Sequence, residues 1–171
     1  MLARHRTMPR RRGATVVEAA ITLGVFLMLM FGLFEYSRFI MVMHTTSNAA
    51  RDGARYASVN VNKPSNFDTI DFTDPNGKPY PSIANYTRAR MGSTEKNVDG
   101  FTVTVFACDP AALSQSPPVV QAKSGATWNQ ATFGERIAVK ITGTYKPITP
   151  VLLMMPESVE IRAIAISGSE G

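Results

Sequence analysis

The stretch RRRGATVVEAAITLGVFLMLMFGLFEYSRF, Arg10–Phe39, decides how the chain is organised because it contains one long apolar run. From Ala14 to Phe34 the run has 21 residues and a single charged side chain, the carboxylate of Glu18. As a helix it is about 32 Å long, enough to cross a hydrocarbon core of about 30 Å. A charge inside such a segment costs roughly 2–3 kcal/mol or more unless it is compensated, so Glu18 needs an explanation.

The charges beside the run indicate how it would cross a membrane. Residues 1–13 hold five arginines and no acidic residue, and the rest of the chain has 13 basic and 13 acidic residues. The net charge of +5 therefore belongs to the N-terminal tail, and nucleic acid is not an expected partner. The positive-inside rule places the N-terminus in the cytoplasm and the chain after Tyr36 outside it. Tyr36 suits the interfacial belt, and Glu35 and Arg38 are spaced to pair at i,i+3.

The helical pattern continues beyond the apolar run, since no proline occurs before Pro64. Small residues recur there at spacings of three or four: Ser47, Ala50, Ala54 and Ala57. Charged residues fall on the other side: Arg51, Asp52 and Arg55. A stripe of small side chains lets another helix approach closely. We predict one helix over residues 14–59, about 69 Å long, that spans the membrane at about 14–36 and extends outside it over 37–59.

Three interpretations of the N-terminus are open: a secretory signal peptide, a plain signal anchor, and a processed pilin-like segment. The run is long for a signal peptide, and no small-x-small cleavage site closes it. The third interpretation accounts for Glu18. A glycine follows the basic leader, and a carboxylate stands five residues later at the start of the helix, in the order Gly13, Ala14-Thr15-Val16-Val17-Glu18. This arrangement resembles the type IV prepilin processing motif.

The prepilin resemblance implies a specific role for each of these residues. A membrane peptidase would cut between Gly13 and Ala14 on the cytoplasmic face and release leader 1–13. The cut would create an ammonium group at Ala14, and Glu18 of one subunit would pair with that group on its neighbour. A buried pair is tolerable where a lone charge is not, and it would set the register between packed helices.

The first sixty residues together resemble the TadE-like pseudopilins of tight-adherence (Tad, Flp-type) pili. The resemblance rests on RRGATVVE at the start, GLFEYSR at Gly32–Arg38 and NAARDGARYA at Asn48–Ala57. It implies a minor pilin or pseudopilin that acts in pilus assembly and surface adherence. The implied partners are the lipid bilayer, a prepilin peptidase, other pilins and the Tad assembly machinery. The residues expected to serve membrane exit and helix packing are Glu35, Tyr36, Arg38, Ala50, Arg51, Gly53 and Arg55.

Residues 60–171 are predicted to form an extracytoplasmic domain of α+β class. Asn60–Ser82 is rich in turn residues, and Ser82–Thr94 has helical spacing. Three alternating stretches predict strands: Phe101–Ala107, Glu135–Ile148 and Ser158–Ser167. They suggest a small antiparallel sheet whose apolar side is covered by the outer half of the long helix. Lys146–Ser158 is apolar between prolines, which favours a short helix docked on the sheet over a membrane-dipping loop.

The sequence offers little catalytic chemistry. Cys108 is the only cysteine, and of the two histidines His5 lies in the leader and His44 has apolar and threonine neighbours. Asp68, Asp71 and Asp74 lack the spacing of a calcium loop, so turn formation is favoured for them. Trp128 marks either a contact surface or a core anchor. We expect no enzyme activity, cofactor, metal or small-molecule substrate. The alternative to a pilin is a permanently anchored extracytoplasmic binding domain.

Overall fold

One uninterrupted helix dominates the computed structural model, which describes residues 12–148 and 156–170. Helix α1 comprises Arg12–Val59. It ends where the side-chain amide of Asn60 turns back and donates to the carbonyl of Tyr56 over 2.8 Å, which satisfies one of the last free acceptors. The single long helix expected over residues 14–59 is confirmed, and its division into spanning and extracytoplasmic parts remains a prediction.

A loop region with short elements follows α1, as the sequence predicts. A 3-10 turn occupies Ser65–Asp68, and strand β1, Phe72–Thr73, pairs with β2, Pro79–Tyr80. The carboxylate of Asp74 accepts the backbone N–H groups of Asn76 and Lys78 at 2.9 and 2.8 Å and so forms the turn between the two strands. The backbone N–H of Ser82 donates to Asp71 over 2.6 Å. Both aspartates thus serve the local backbone.

The predicted helix after this loop is α2, Ile83–Met91, and its first turn is capped by Ser82, whose hydroxyl accepts the backbone N–H of Asn85. It packs against α1 where α1 lacks side-chain bulk. A Cβ atom added to Gly53 would overlap the side chain of Thr87 on α2, so the glycine permits the close approach. Ala50, Ala54 and Ala57 of the predicted small-residue stripe are buried beside it, while Ser47 is half-buried.

Three ten-residue strands form an antiparallel sheet in the order β3-β4-β5: β3 Val98–Ala107, β4 Arg136–Tyr145 and β5 Val159–Gly168. A one-turn helix, α3, Pro110–Leu113, follows β3. The three predicted strands are present with shifted ends. β3 begins three residues early because the register shifts between Asp99 and Thr102, around Gly100 at a φ of 64°. This bulge interrupts the alternation on which the prediction relied.

The outer part of α1 covers the apolar face of the sheet, as expected. Near one end of the sheet the ring of Phe39 lies 5.5 Å from that of Tyr145, and at the other end Ser167 Oγ donates to Ser58 Oγ over 3.1 Å. The helix rises about 29 Å between Phe39 and Ser58, close to the length of about 33 Å of a ten-residue strand. The strands and the helix therefore run side by side.

The core lies between α1, α2 and the sheet. Its largest fully buried side chains are Tyr145, Phe67, Ile83, Met91, Ile137, Ile141, Ile161, Val42 and Val139. Trp128 is a core residue, because its indole is buried and donates to the carbonyl of Ser65 over 2.8 Å. The predicted α+β architecture, a long N-terminal helix with small antiparallel sheets, is confirmed. The helix predicted within Lys146–Ser158 falls largely on residues 149–155, which lie outside the described chain.

Candidate functional site

The first half of α1 is an exposed apolar surface. Its large side chains between Val16 and Phe34 are mostly solvent-facing, and the most exposed of them, Val16 and Leu29, reach 68%. Residues 13–34 would span about 33 Å. In the described part of the chain, one helix is long and apolar enough to cross a membrane, and this run belongs to it. An apolar surface of this size marks a contact with lipid or with other proteins.

The residues of the predicted processing motif lie together at the start of α1. Gly13 is the second residue of the helix, and no atom lies near enough to crowd a side chain there. Glu18 is exposed and lies beside Thr15, Ala19 and Thr22. Thr22 Oγ1 donates to the backbone carbonyl of Glu18 over 2.9 Å, so that bond leaves the carboxylate untouched. Within residues 12–148 and 156–170 no side chain pairs with the Glu18 carboxylate.

A second polar group forms where the apolar run ends, and we call it the Glu35 cluster: Glu35, Arg38, Asn97 and Tyr145. Glu35 is 5% exposed, and its carboxylate accepts a hydrogen bond from the phenol of Tyr145. Arg38 Nη1 lies 3.5 Å from Glu35 Oε1, and Arg38 Nη2 donates to Asn97 Oδ1 over 2.8 Å. The buried carboxylate is thus compensated by a cation and a phenol.

The electrostatics of this cluster favour a neutral phenol. Burial, together with the hydrogen bond to Glu35, raises the pKa of Tyr145 to about 12, while the Arg38 guanidinium acts in the opposite direction. The guanidinium carbon also lies 5.3 Å from the centre of the Tyr145 ring. Glu35 and Arg38 therefore attach α1 to the end of β4 as well as to each other. Tyr36, the next residue along the helix, is exposed.

The remaining predicted residues divide between two sides of α1. Ala50 and Gly53 are buried towards the sheet and α2, whereas Arg51 and Arg55 are exposed on the opposite side. Arg55 borders an open groove of about 520 Å³ that also includes Tyr56, Tyr86 and Arg90. The structure does not bring these residues together with Glu18, because the helix rises about 26 Å between Glu18 and Glu35 alone.

Tyr145 and Thr87 are two contact residues of α1 that were not predicted from the sequence. The sequence does contain a signal for the contact with Tyr145. One face of the helix, with the i, i+4, i+7 spacing, holds Glu35, Phe39, Val42 and Thr46. This spacing places Glu35 on the buried side of α1. The inward alternation Ile137, Val139, Ile141 also extends, through Gly143, to Tyr145. No sequence pattern links Gly53 with Thr87.

The side chains with catalytic potential lie apart from these sites. Cys108 is buried, and burial raises the pKa of its thiol, so it is an unreactive core residue. His44 is exposed on α1. Across the described residues, no group of three or more histidine, cysteine, aspartate or glutamate side chains is arranged to hold a metal ion.

An exposed apolar helix that continues into a small α+β unit defines the class: a protein with a long N-terminal apolar helix followed by small antiparallel sheets. A family model described as TadE-like protein matches residues 13–55, about a quarter of the chain. The match includes Gly13, Glu18 and the Glu35 and Arg38 positions, and it confirms the predicted resemblance over those residues. The matched residues lie within α1, and residues 56–171 are outside the match. No curated protein and no solved structure matches the chain.

Proposed function

We propose that the chain is a minor pilin or pseudopilin of a Tad (Flp-type) pilus, processed after Gly13 and active in pilus assembly and surface adherence. The observation that carries the proposal is the exposed Glu18 carboxylate on an otherwise apolar helix surface, five residues after a glycine. The TadE-like match over residues 13–55 supports the same conclusion. Neither a plain signal anchor nor a signal peptide requires a carboxylate at position 18.

Glu18 would act through a neighbouring subunit. Cleavage after Gly13 leaves an ammonium group on Ala14, and the carboxylate of an adjacent copy or another pilin can pair with it in the apolar interior of the assembly. Removing one side of a buried ion pair typically costs about 3–5 kcal/mol, enough to empty an assembled state. Pairing over one fixed distance would also align the packed helices along the filament axis.

The proposed location is the cytoplasmic (inner) membrane, crossed once, before any transfer into a pilus. The arginine-rich leader would remain in the cytoplasm, and residues 60–171 would lie outside it. The partners would be the bilayer, the prepilin peptidase, other pilins or pseudopilins and the Tad assembly machinery. The wide exposed apolar surface of α1 suits both a bilayer and a bundle of pilin helices.

Assembly of Glu18 variants tests the proposal. Glu18→Ala should insert and be cleaved, yet fail to co-purify with the pilin partners, and Glu18→Asp, with one methylene less reach, should be intermediate. Thr22→Val is the matched control, because this hydroxyl lies on the same exposed surface and bonds only to its own helix backbone. Full recovery of cleaved Glu18→Ala with the assembly would contradict the register role. A mature chain that retains Arg10–Arg12 would favour the permanently anchored binding domain.

A further inference from the structure

One end of the sheet lies level with the end of the apolar run. Tyr145, the last residue of β4, bonds to Glu35, which directly follows Phe34 at the end of that run. At the other end of the sheet, Ser167 contacts Ser58, one residue before α1 stops. Because the strands lie alongside α1, the Tyr145 end of the sheet is the end nearest the apolar run and would face a bilayer crossed by it.

The chain beyond Tyr145 exposes an apolar side chain at this end. Ile148 is three residues past the strand and 71% exposed. Three residues reach at most about 10 Å, so Ile148 stays near the level of Glu35. Each interfacial layer of a bilayer is about 5–8 Å thick, by the difference between total and hydrocarbon thickness. A bilayer that ends near Glu35 would therefore have its headgroup region within reach of Ile148.

The charges at this end are mixed, because Glu157 and Glu160 are exposed near the start of β5, whose first residue Val159 pairs with Tyr145. Lys146 Nζ lies 2.7 Å from Asp99 Oδ2, and this pair offsets both charges beside Ile148. The opposite end of the molecule also exposes large apolar side chains, since Ile70 is 57% and Phe133 is 82% exposed. Exposure alone does not distinguish Ile148, because scattered exposed apolar residues are normal. Ile148 differs from Ile70 and Phe133 in its position beside the end of the apolar run.

We propose that the Tyr145 end of the sheet is a second membrane contact, in which Ile148 enters the headgroup region of the bilayer that α1 crosses. This inference rests on the proposed membrane insertion of α1. The occupant of the surface is lipid, since the contact continues the lipid-facing surface of the helix. Together with the Glu35 cluster, the contact would hold the sheet at one angle to the membrane plane.

Site-directed spin labelling of the full chain tests the contact. Cys108→Ala gives a cysteine-free background, and single nitroxides are placed through Ile148→Cys, Ile70→Cys or Leu29→Cys. Leu29 is an exposed residue of the apolar run and reports insertion of α1, while Ile70 is the matched isoleucine at the far end. The proteins are reconstituted in phosphatidylcholine–phosphatidylglycerol vesicles, and collision of each label with oxygen is compared with collision with a water-soluble nickel chelate. Trp128 fluorescence verifies the fold of each variant.

The expected oxygen-to-nickel collision ratio is highest at position 29, intermediate at 148 and lowest at 70, with a several-fold difference between 148 and 70. Equal ratios at 148 and 70, with position 29 in lipid, would overturn the second contact and leave the membrane anchor intact. A label at 148 shielded from both reagents would report a protein contact and would equally overturn it. A label at position 29 exposed to the nickel chelate would instead refute membrane insertion of α1.

Discussion

The phenol of Tyr145 donates a hydrogen bond to the carboxylate of Glu35, 110 positions earlier in the chain. This bond joins the end of β4 to the helix at the point where its apolar run stops. It compensates a carboxylate that is otherwise enclosed by protein, with Arg38 as the second partner. The helix and the sheet are thus connected by hydrogen bonds near both ends, Tyr145 to Glu35 and Ser167 to Ser58, and by apolar packing between them.

Tyr145→Phe should destabilise the fold by about 1–3 kcal/mol, because the buried Glu35 carboxylate loses a donor while the ring is kept. The measurement is denaturant unfolding of the full chain in detergent micelles, followed by the fluorescence of Trp128, the only tryptophan. Tyr36→Phe is the control: Tyr36 is exposed, and its change should stay within about 0.5 kcal/mol. Equal stabilities of the two variants would show that the bond contributes nothing.

Gly53→Ala should also be destabilising, by about 1–3 kcal/mol, because the new methyl group overlaps Thr87 and forces α2 away from α1. Gly24→Ala, where no atom lies within 4 Å of the added carbon, should show no loss. Adding Thr87→Ala to Gly53→Ala should recover part of the stability, since Thr87 Oγ1 is the nearest obstructing atom. Thermal unfolding of the four proteins measures these effects, and an unaffected Gly53→Ala would contradict the close helix contact.

Glu135 should make stability depend on pH in the acid range. Its hydrogen bond with Lys123 at 2.7 Å, helped by the backbone N–H of Thr132, lowers the pKa of the carboxyl from 4.5 to about 2. A lowered folded-state pKa stabilises the fold above the unfolded value near 4.5 and loses that contribution as the pH falls towards 2. Glu135→Gln should therefore be less stable than the parent at pH 7. The difference in the free energy of unfolding between the two proteins should shrink as the pH falls from 4.5 to 2.

Glu157→Gln provides the comparison for this pH series, because Glu157 is exposed. Its stability should follow the parent protein from pH 7 to pH 2. Urea unfolding at four pH values in that interval, read through Trp128, measures both variants. A gap between parent and Glu135→Gln that does not change with pH would show that the ion pair with Lys123 is not responsible.

Processing can be read from the mass of the mature chain. Cleavage after Gly13 removes 13 residues with five positive charges and leaves Ala14 as the first residue. Gly13→Val should block the cut, because a branched side chain adds bulk next to the scissile bond, whereas Gly24→Val, ten residues into the helix from Ala14, should leave it unaffected. Mass spectrometry of the membrane-extracted chain distinguishes these outcomes. Cleavage of Gly13→Val at the same bond would contradict the proposed motif.

The proposed orientation of the helix across the membrane predicts on which side a fused reporter protein is active. A reporter that is active only in the cytoplasm should be silent after Gly171, whereas one that is active only outside should function there. Replacing the arginines of the leader, Arg4, Arg6, Arg10, Arg11 and Arg12, by glutamine should weaken this preference. A cytoplasmic reporter that is active on the unmodified chain would invert the topology and place Gly13 on the wrong side for the peptidase.

Local patterns predicted most of the architecture. Hydropathy and the absence of proline indicated α1, and alternation at Ile137, Val139 and Ile141 indicated β4. Both signals arise from residues close together in sequence, so one chain segment carries them completely. The small stripe on α1 likewise indicated a face suited to close packing, and the structure shows that this face is buried, with Gly53 against Thr87 of α2.

Contacts between distant segments could not be predicted from local sequence patterns. Glu35 and Arg38 were expected to pair as the helix leaves the membrane, and Tyr145 could not be assigned to them because sequence spacing does not define which strand end meets which helix turn. The same applies to Gly53 and Thr87. Glu18 differs from both, since its proposed partner belongs to another molecule and one chain cannot display it.

The side-by-side arrangement of α1 and the sheet makes the outer part of the molecule a lever arm. From Glu35 to Val59 the helix rises about 36 Å, and the strands beside it prevent it from bending over most of that length. A tilt of about 10° at the bilayer surface would thus move the far tip, where Phe133 is exposed, by about 6 Å. Small rotations of the apolar segment within an assembly would become large sideways displacements of the surface presented to the outside.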